Sequence, residues 1–365
     1  MKAIALVPHT KKVQLVDWPE TKIETPTQVK VRVLQVGICG TDREEVCGGR
    51  ADAPHGEKLL IIGHEMLGEV IQVGTDVKLV KPKDLVVIMV RRPCMVCDEC
   101  KKGHSDMCQS GLYTERGIKE RHGFHAAMVV DEEKYLVKVP PELKSLAVLT
   151  EPTTVVEKAI DQACRLQVAR LSVDPDPKKW LAGKTVLVAG LGPIGLLAAM
   201  ILRLRGAHVL GLDVVEPHSL RPRILQAMGG RYVMGKDKHA MSNEKSIDMI
   251  IEAAGIAQLD FQLFQELGTD GVYVLTGVPG DGPPLSVDGG TLMRNLVLKN
   301  QVLLGSVNAG KEHFKQAVLD LEAAQHKWEG VIEQLITSKT PYTDYEVALL
   351  KRKPDEIKAV IEWAS

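Results

Sequence analysis

One stretch, Thr185–Asp213 (TVLVAGLGPIGLLAAMILRLRGAHVLGLD), constrains the fold more than any other. An apolar, β-leaning run, Val186–Ala189, leads into Gly190-Leu191-Gly192-Pro193-Ile194-Gly195. A helical pattern follows to Arg205, and a second apolar run, His208–Leu212, ends on Asp213. The order is strand, glycine turn, helix, parallel strand, acid. Gly190 permits the tight turn, Gly192 lets a pyrophosphate approach the backbone, and Gly195 lets helix and strand pack closely. Pro193 suits the first helical position, where an amide hydrogen has no partner. With Ile194 it opens a helix whose exposed amides attract phosphate. Asp213, 18 residues after Gly195, is placed to accept hydrogen bonds from a ribose diol. A dinucleotide site is expected. The alternative is a glycine-rich turn in some other α/β protein.

Downstream, strand-like runs alternate with helical ones. Ile247–Ala253, Val272–Gly277 and Gln301–Gly305 read as strands; Ser219–Met228 and Ala257–Leu267 read as helices. That alternation predicts a parallel, doubly wound sheet. Upstream the texture differs. Lys2–Val7, Val13–Trp18, Val29–Gly37, Leu67–Val73, Leu85–Val90, Ala126–Val130 and Tyr135–Val139 read as short strands of a small all-β barrel with inserted loops. A helix is expected over Thr154–Leu166. From Lys311 the tail reads as helices again, ending in Ile357–Trp363, and is expected to fold back onto the N-terminal part. The 365 residues thus divide into 1–155 with 306–365, and 156–305.

The charge pattern excludes several functions. Net charge is −1, so there is no basic field for nucleic acid. No run of about twenty apolar residues exists to span a membrane. The first residues, MKAIALVPHTKK, carry too short an apolar run for a secretory signal, and a cytoplasmic protein is expected.

Four of the seven cysteines, Cys94, Cys97, Cys100 and Cys108, lie within 15 residues as CxxCxxCx7C. Four thiolates at this spacing wrap a tetrahedral zinc in a closed, structural site. An iron–sulfur cluster and a nucleic-acid zinc ribbon are the alternatives. Cys39-Gly40-Thr41-Asp42 and Gly63-His64-Glu65 form a second constellation. A thiolate, an imidazole and a carboxylate can hold zinc with a fourth position open, as a catalytic site requires. The alternative is a buried cysteine and a core histidine. Cys47 and Cys164 have no partner spacing and are expected as buried thiols.

Taken together, the GHE at 63–65, the four-cysteine segment and GLGPIG after a β-rich half resemble the zinc-dependent medium-chain alcohol dehydrogenase superfamily. Thr114–Ile118, His122-Gly123-Phe124, Tyr135–Pro140 and Val307-Asn308 with Lys311, His313 and Phe314 resemble its archaeal-type glucose dehydrogenases. The resemblance implies a GroES-like barrel, a Rossmann domain and an active-site cleft between them. It implies oxidation of an aldose at C1 to the lactone with reduction of NAD or NADP. Cys39, His64, Glu65 and Glu151 would surround catalytic zinc. Thr41 would lie beside the reacting hydroxyl, and Glu115, Glu151 and Asn308 would meet sugar hydroxyls. It implies a homodimer or homotetramer joined through the edges of the Rossmann sheets.

Two positions depart from the sugar pattern. Val90 stands where some relatives carry asparagine, and Leu298 where some carry histidine. Threonine, sorbitol and simple alcohol dehydrogenases of the same superfamily are therefore alternative readings. A non-catalytic redox sensor is a third, expected to lack the ligands that Cys39, His64 and Glu65 supply. Asp213 would repel a 2′-phosphate, so NAD is expected in preference to NADP, with Arg221 and Arg223 nearby to soften the choice. Glu44 occupies the position of the relay histidine found in many alcohol dehydrogenases.

Overall fold

A computed structural model of the chain describes residues 1–171, 176, 179–235, 246–280 and 282–363. The fold divides into two compact units. One comprises Met1–Thr154, Ala309–Glu322 and Glu333–Ser365; the other comprises Val155–Asn308 and Ala323–Ile332.

The first unit is built on a seven-stranded sheet. Six strands run in the order Leu136–Val139, Leu85–Ile88, Glu65–Val73, Gln28–Ile38, Lys358–Glu362 and Ile336–Pro341, and Met128–Glu132 also pairs with Gln28–Ile38. The alternating run Val29–Val33 explains the central strand. Val29, Val31 and Val33 are buried. Arg32 points outward to Glu69 on the neighbouring strand, 2.7 Å away. Valines on one face and a cross-strand ion pair on the other fix the register. The core beneath the sheet gathers Ile4, Leu60, Ile62, Met66, Phe124 and Ile361 from strands and loops far apart in sequence.

The tail departs from expectation. Lys311–Lys327 and Tyr345–Leu350 are helices, but Ile336–Pro341 and Lys358–Glu362 are strands. Lys358–Glu362 pairs antiparallel with Gln28–Ile38, Ala359 opposite Ile38 and Glu362 opposite Gln35. Its first four residues are buried, so it carries no alternation to mark it as a strand.

Among its described residues the second unit holds six parallel strands. Their order is Arg231–Met234, His208–Asp213, Thr185–Ala189, Ile247–Glu252, Leu267–Leu275 and Val302–Gly305. Numbered along the unit this is 3-2-1-4-5-6, the doubly wound Rossmann arrangement. Arg231–Met234 had no counterpart in the sequence reading. The helix Pro193–Leu204 buries Leu196, Leu197, Met200 and Ile201. Each such side chain contributes about 1.5–3 kcal/mol by leaving water. Cys164 is buried as expected, whereas Cys47 is exposed, because the helix Gly40–Val46 ends just before it. No helix among the described residues is long and apolar enough to cross a membrane.

Candidate functional site

Cys39 lies between the strand Gln28–Ile38 and the helix Gly40–Val46. Its backbone N–H donates to Asp42 Oδ2 at 2.7 Å, which fixes the turn that presents the thiol. Asp42 is fully buried, and its Oδ1 lies 3.5 Å from His64 Nδ1. A carboxylate at Nδ1 orients the ring and leaves Nε2 for a ligand. His64 and Glu65 enter together at the start of the strand Glu65–Val73. The ligand atoms of Cys39, His64 and Glu65 fall within 4.8 Å of one another. Donor types and spacing suit a zinc ion with an open position. Thr41 Oγ1 is 3.9 Å from Cys39 Sγ.

Two carboxylates at this centre differ from the simplest expectation. Both oxygens of Glu65 accept hydrogen bonds from Lys358 Nζ at 2.7 Å, so a cation from the tail strand holds the carboxylate. Glu151, in the first turn of the helix Thr150–Leu171, is not in the group of three. Burial pushes its carboxyl up to about 7; His64 and Lys358 pull it down and Glu65 adds to the rise. Glu151 is therefore within electrostatic reach of the centre. Behind the site, Glu45 is fully buried and neither of its oxygens has a hydrogen-bond partner. Burial, assisted by Asp42, pushes its carboxyl up to about 10. Glu44 is half-exposed beside Arg50, 3.8 Å away.

The four-cysteine segment folds into a lobe that includes the short helices Asp98–Lys101 and Ser105–Met107. The sulfurs of Cys94, Cys97, Cys100 and Cys108 lie within 4.8 Å of one another. The backbone N–H groups of Cys97 and Val96 each donate to Cys94 Sγ at 3.4 Å. With the Ser110 hydroxyl they bring the Cys94 thiol down to about 5, while burial pushes Cys100 up to about 12. Four thiols this close cannot all ionise unaided; a divalent cation removes that obstacle. The donor set fits structural zinc.

Glu115 lies on the strand Thr114–Arg116, buried against Arg91. Val90 is also buried, and its carbonyl accepts the Arg116 N–H at 3.0 Å. In the second unit, Asn308 adopts a left-handed backbone, φ 59°. The preceding carbonyl, Val307 O, accepts from the buried Lys158 Nζ at 2.9 Å. Leu298 is exposed at the end of the helix Gly289–Leu298.

The glycine turn is built as its residues require. Gly190 has φ +89°, and a Cβ there would meet Ala254 N at 2.9 Å. A Cβ on Gly195 would lie 1.7 Å from Gly190 O. At Gly192 a Cβ would meet nothing within 4 Å, so the helix N-terminus is open to a ligand on this side. Asp213 accepts the Leu191 and Val214 amides at 2.8 and 2.7 Å, and Arg221 Nη1 lies 3.6 Å from Oδ2. A carboxylate facing an open phosphate cradle fits a dinucleotide.

Asp42 and Arg91 are visible in the sequence but carry no role there, and Lys358 is not singled out at all. Asp42 had a local signal, an acid three residues after Cys39. Lys358 had none, since 293 residues separate it from Glu65.

Comparison with known proteins follows the same outline. The alcohol dehydrogenase GroES-like domain matches residues 25–141, and the glucose dehydrogenase C-terminus matches residues 144–363. The chain belongs to the glucose dehydrogenase family. Within that family it is 40% identical over 364 residues to glucose 1-dehydrogenase of Thermoproteus tenax, covering 99% of both chains. It is 35% identical over 369 residues to the enzyme of Methanocella arvoryzae, again covering 99% of both. The glucose dehydrogenase of Haloferax mediterranei, solved in complex with NADP, Zn and gluconolactone, superposes with a TM-score of 0.87 at 31% identity, covering 100% of both chains. The fold is a GroES-like domain with a Rossmann domain, shared also with 2R,3R-butanediol dehydrogenase of Bacillus subtilis (TM-score 0.79, 23% identity, 99% of both chains).

Proposed function

We propose that this chain is a zinc-dependent sugar dehydrogenase that oxidises an aldose at C1 to the lactone and passes hydride to NAD(P). The observation that carries the reading is the convergence of Cys39, His64 and Glu65 within 4.8 Å in a chain of the glucose dehydrogenase family. A relative holding NADP, Zn and gluconolactone supports it. A redox sensor would have no use for that ligand set.

Cys39, His64 and Glu65, with Glu151 within reach, would hold the catalytic metal; Cys94, Cys97, Cys100 and Cys108 would hold a structural one. When bound, zinc lowers the pKa of the substrate hydroxyl and the nicotinamide accepts hydride. The protein's part is placement. Asp42 sets the His64 ring and Lys358 sets the Glu65 carboxylate, while the hydroxyl proton would leave through Thr41 acting as a relay, or through water or a nearby carboxylate. Glu115, Glu151 and Asn308 orient the sugar through its hydroxyls. Gly190, Gly192 and Gly195, with Pro193 and Ile194, seat the pyrophosphate. Asp213 takes the ribose diol, which favours NAD over NADP. Arg221, already paired with Asp213, is the residue that would tolerate a 2′-phosphate.

A polyol or simpler alcohol is the second reading, favoured by apolar Val90 and Leu298 at positions that carry polar side chains in some sugar-oxidising relatives. The decisive assay screens aldoses, polyols and threonine with NAD and with NADP, following the reduced cofactor. Turnover of polyols but of no aldose would overturn the sugar assignment; a clear NADP preference would overturn the cofactor assignment.

We also propose self-association through the outer strand Val302–Gly305. Its half-exposed Leu303, with Val297 and Val307 nearby in sequence, is consistent with a covered edge. Light scattering showing only monomer would refute this.

A further inference from the structure

The strand pair Arg91–Arg92 and Thr114–Arg116 sets Arg91 directly opposite Glu115. Arg91 Nε donates to Glu115 Oε1 at 3.0 Å, and Nη2 stands 3.0 Å from the same oxygen. The third nitrogen, Nη1, donates to the carbonyl of Asp106 at 3.3 Å. The guanidinium lies 3.8 Å from the centroid of the Tyr113 ring. Arg91, Glu115 and Asp106 are all buried. Asp106 belongs to the short helix Ser105–Met107, which precedes Cys108 of the four-cysteine lobe.

We propose that Arg91 is a positioning residue for sugar recognition, locking Glu115 to the four-cysteine lobe so that the lobe's fold sets where the Glu115 carboxylate points. The proposal rests on the reading of Glu115 as a sugar contact. A glutamate has three side-chain torsions to fix before it can meet a hydroxyl. Arg91 fixes them in advance with a planar fork, and the fork is itself held by a ring face and a backbone carbonyl. Lysine could neutralise Glu115 but could not address Glu115 and Asp106 from a rigid plane. The lobe then has a use beyond stability. It anchors one wall of the sugar site through a single side chain.

The experiment measures KM and kcat for D-glucose on zinc-loaded Arg91→Met, Arg91→Lys, Glu115→Gln and the Arg91→Met/Glu115→Gln double variant. Losing the outer hydrogen-bond partner of a metal ligand typically costs about 10–100-fold, and a loss of that order is expected for this sugar-facing carboxylate. Arg91→Met is expected to raise KM by that factor while kcat changes less than about threefold. Arg91→Lys should recover only part of the loss. In the Glu115→Gln background, Arg91→Met should add little, because its effect runs through the carboxylate. Full additivity of the two changes, or a fall in kcat at constant KM, would overturn the proposal. An unchanged KM in Glu115→Gln would instead overturn the role of Glu115 itself. If Arg91→Met does not fold, Arg91→Lys alone and combined with Glu115→Gln gives the same comparison.

Discussion

Lys358 Nζ sits 2.7 Å from both carboxylate oxygens of Glu65, and both side chains are sealed from water. A buried ion pair of this kind is expensive to break from one side. In zinc-free protein, Lys358→Met should destabilise the fold by about 3–5 kcal/mol, because Glu65 then has neither the lysine nor a metal and is left as an unpaired buried charge. The double change Lys358→Met/Glu65→Gln should recover most of that loss. Urea denaturation of the four proteins in the cycle checks this. A double variant no more stable than Lys358→Met would show that the pair is not the source of the effect.

Two proposed metal sites of different character imply two different losses. Cys39→Ala should lower bound zinc from two ions per chain to one and reduce kcat by at least about a thousandfold, with melting temperature little changed. Cys97→Ser should also remove one ion but act mainly on stability, since a closed four-thiolate site contributes to folding. Elemental analysis beside thermal melts distinguishes the two. Cys39→Ala protein that keeps both ions and full activity would dismiss the catalytic site.

Asp213 offers a test of cofactor choice. Asp213→Asn removes the charge that opposes a 2′-phosphate while keeping an acceptor for the Leu191 amide. The ratio of kcat/KM for NADP over NAD should rise by about tenfold or more, equivalent to about 1.4 kcal/mol. Arg221→Ala should move the ratio the other way. Steady-state kinetics with both cofactors decides, and no change in either variant would place discrimination elsewhere.

Acid stability should depend on Asp131. This fully buried carboxylate lies against Arg92 and Arg116, with Arg121 3.8 Å away. Burial alone would raise its pKa, but Arg116, Arg92 and Arg121 together bring it down to about 2. A carboxyl with a depressed folded-state pKa contributes stability above its unfolded value near 4 and loses it as pH falls through the folded value. The contribution is about 2 kcal/mol, lost between about pH 4 and pH 2. Asp131→Asn should be strongly destabilised at pH 6, and its deficit against the parent should narrow by about that amount near pH 2. Denaturant melts at the two pH values measure it. A deficit independent of pH would refute the linkage.

The parts of this site that were legible in the sequence are those whose chemistry is local. Gly190, Gly192 and Gly195 each answer a demand made within a few residues, and CxxCxxCx7C closes on itself. Cys39 and His64 were legible as donor types, while their meeting depends on the sheet. The tail strand Lys358–Glu362 was read among helices because both its faces are buried and no alternation survives. Lys358 looks like a surface charge until Glu65 is placed beside it. Arg91 sat in view, but its partner was set by the pairing of two very short strands. Sequence period reports a boundary between core and water. It is silent where an element is surrounded on every side.

The insertion of Lys358–Glu362 beside Gln28–Ile38 also orders events in time. The ribosome releases the Rossmann strands well before residue 358, so that unit can fold while the first unit still lacks a strand of its main sheet. Residues 28–38 wait for a partner made more than three hundred residues later. Until the tail emerges, Glu65 has no Lys358 to hold it, and a half-made chain carries Cys39 and His64 without the cation that sets their neighbour. A chain stalled short of residue 358 could therefore fold its Rossmann unit while the Cys39, His64 and Glu65 group stayed unfinished.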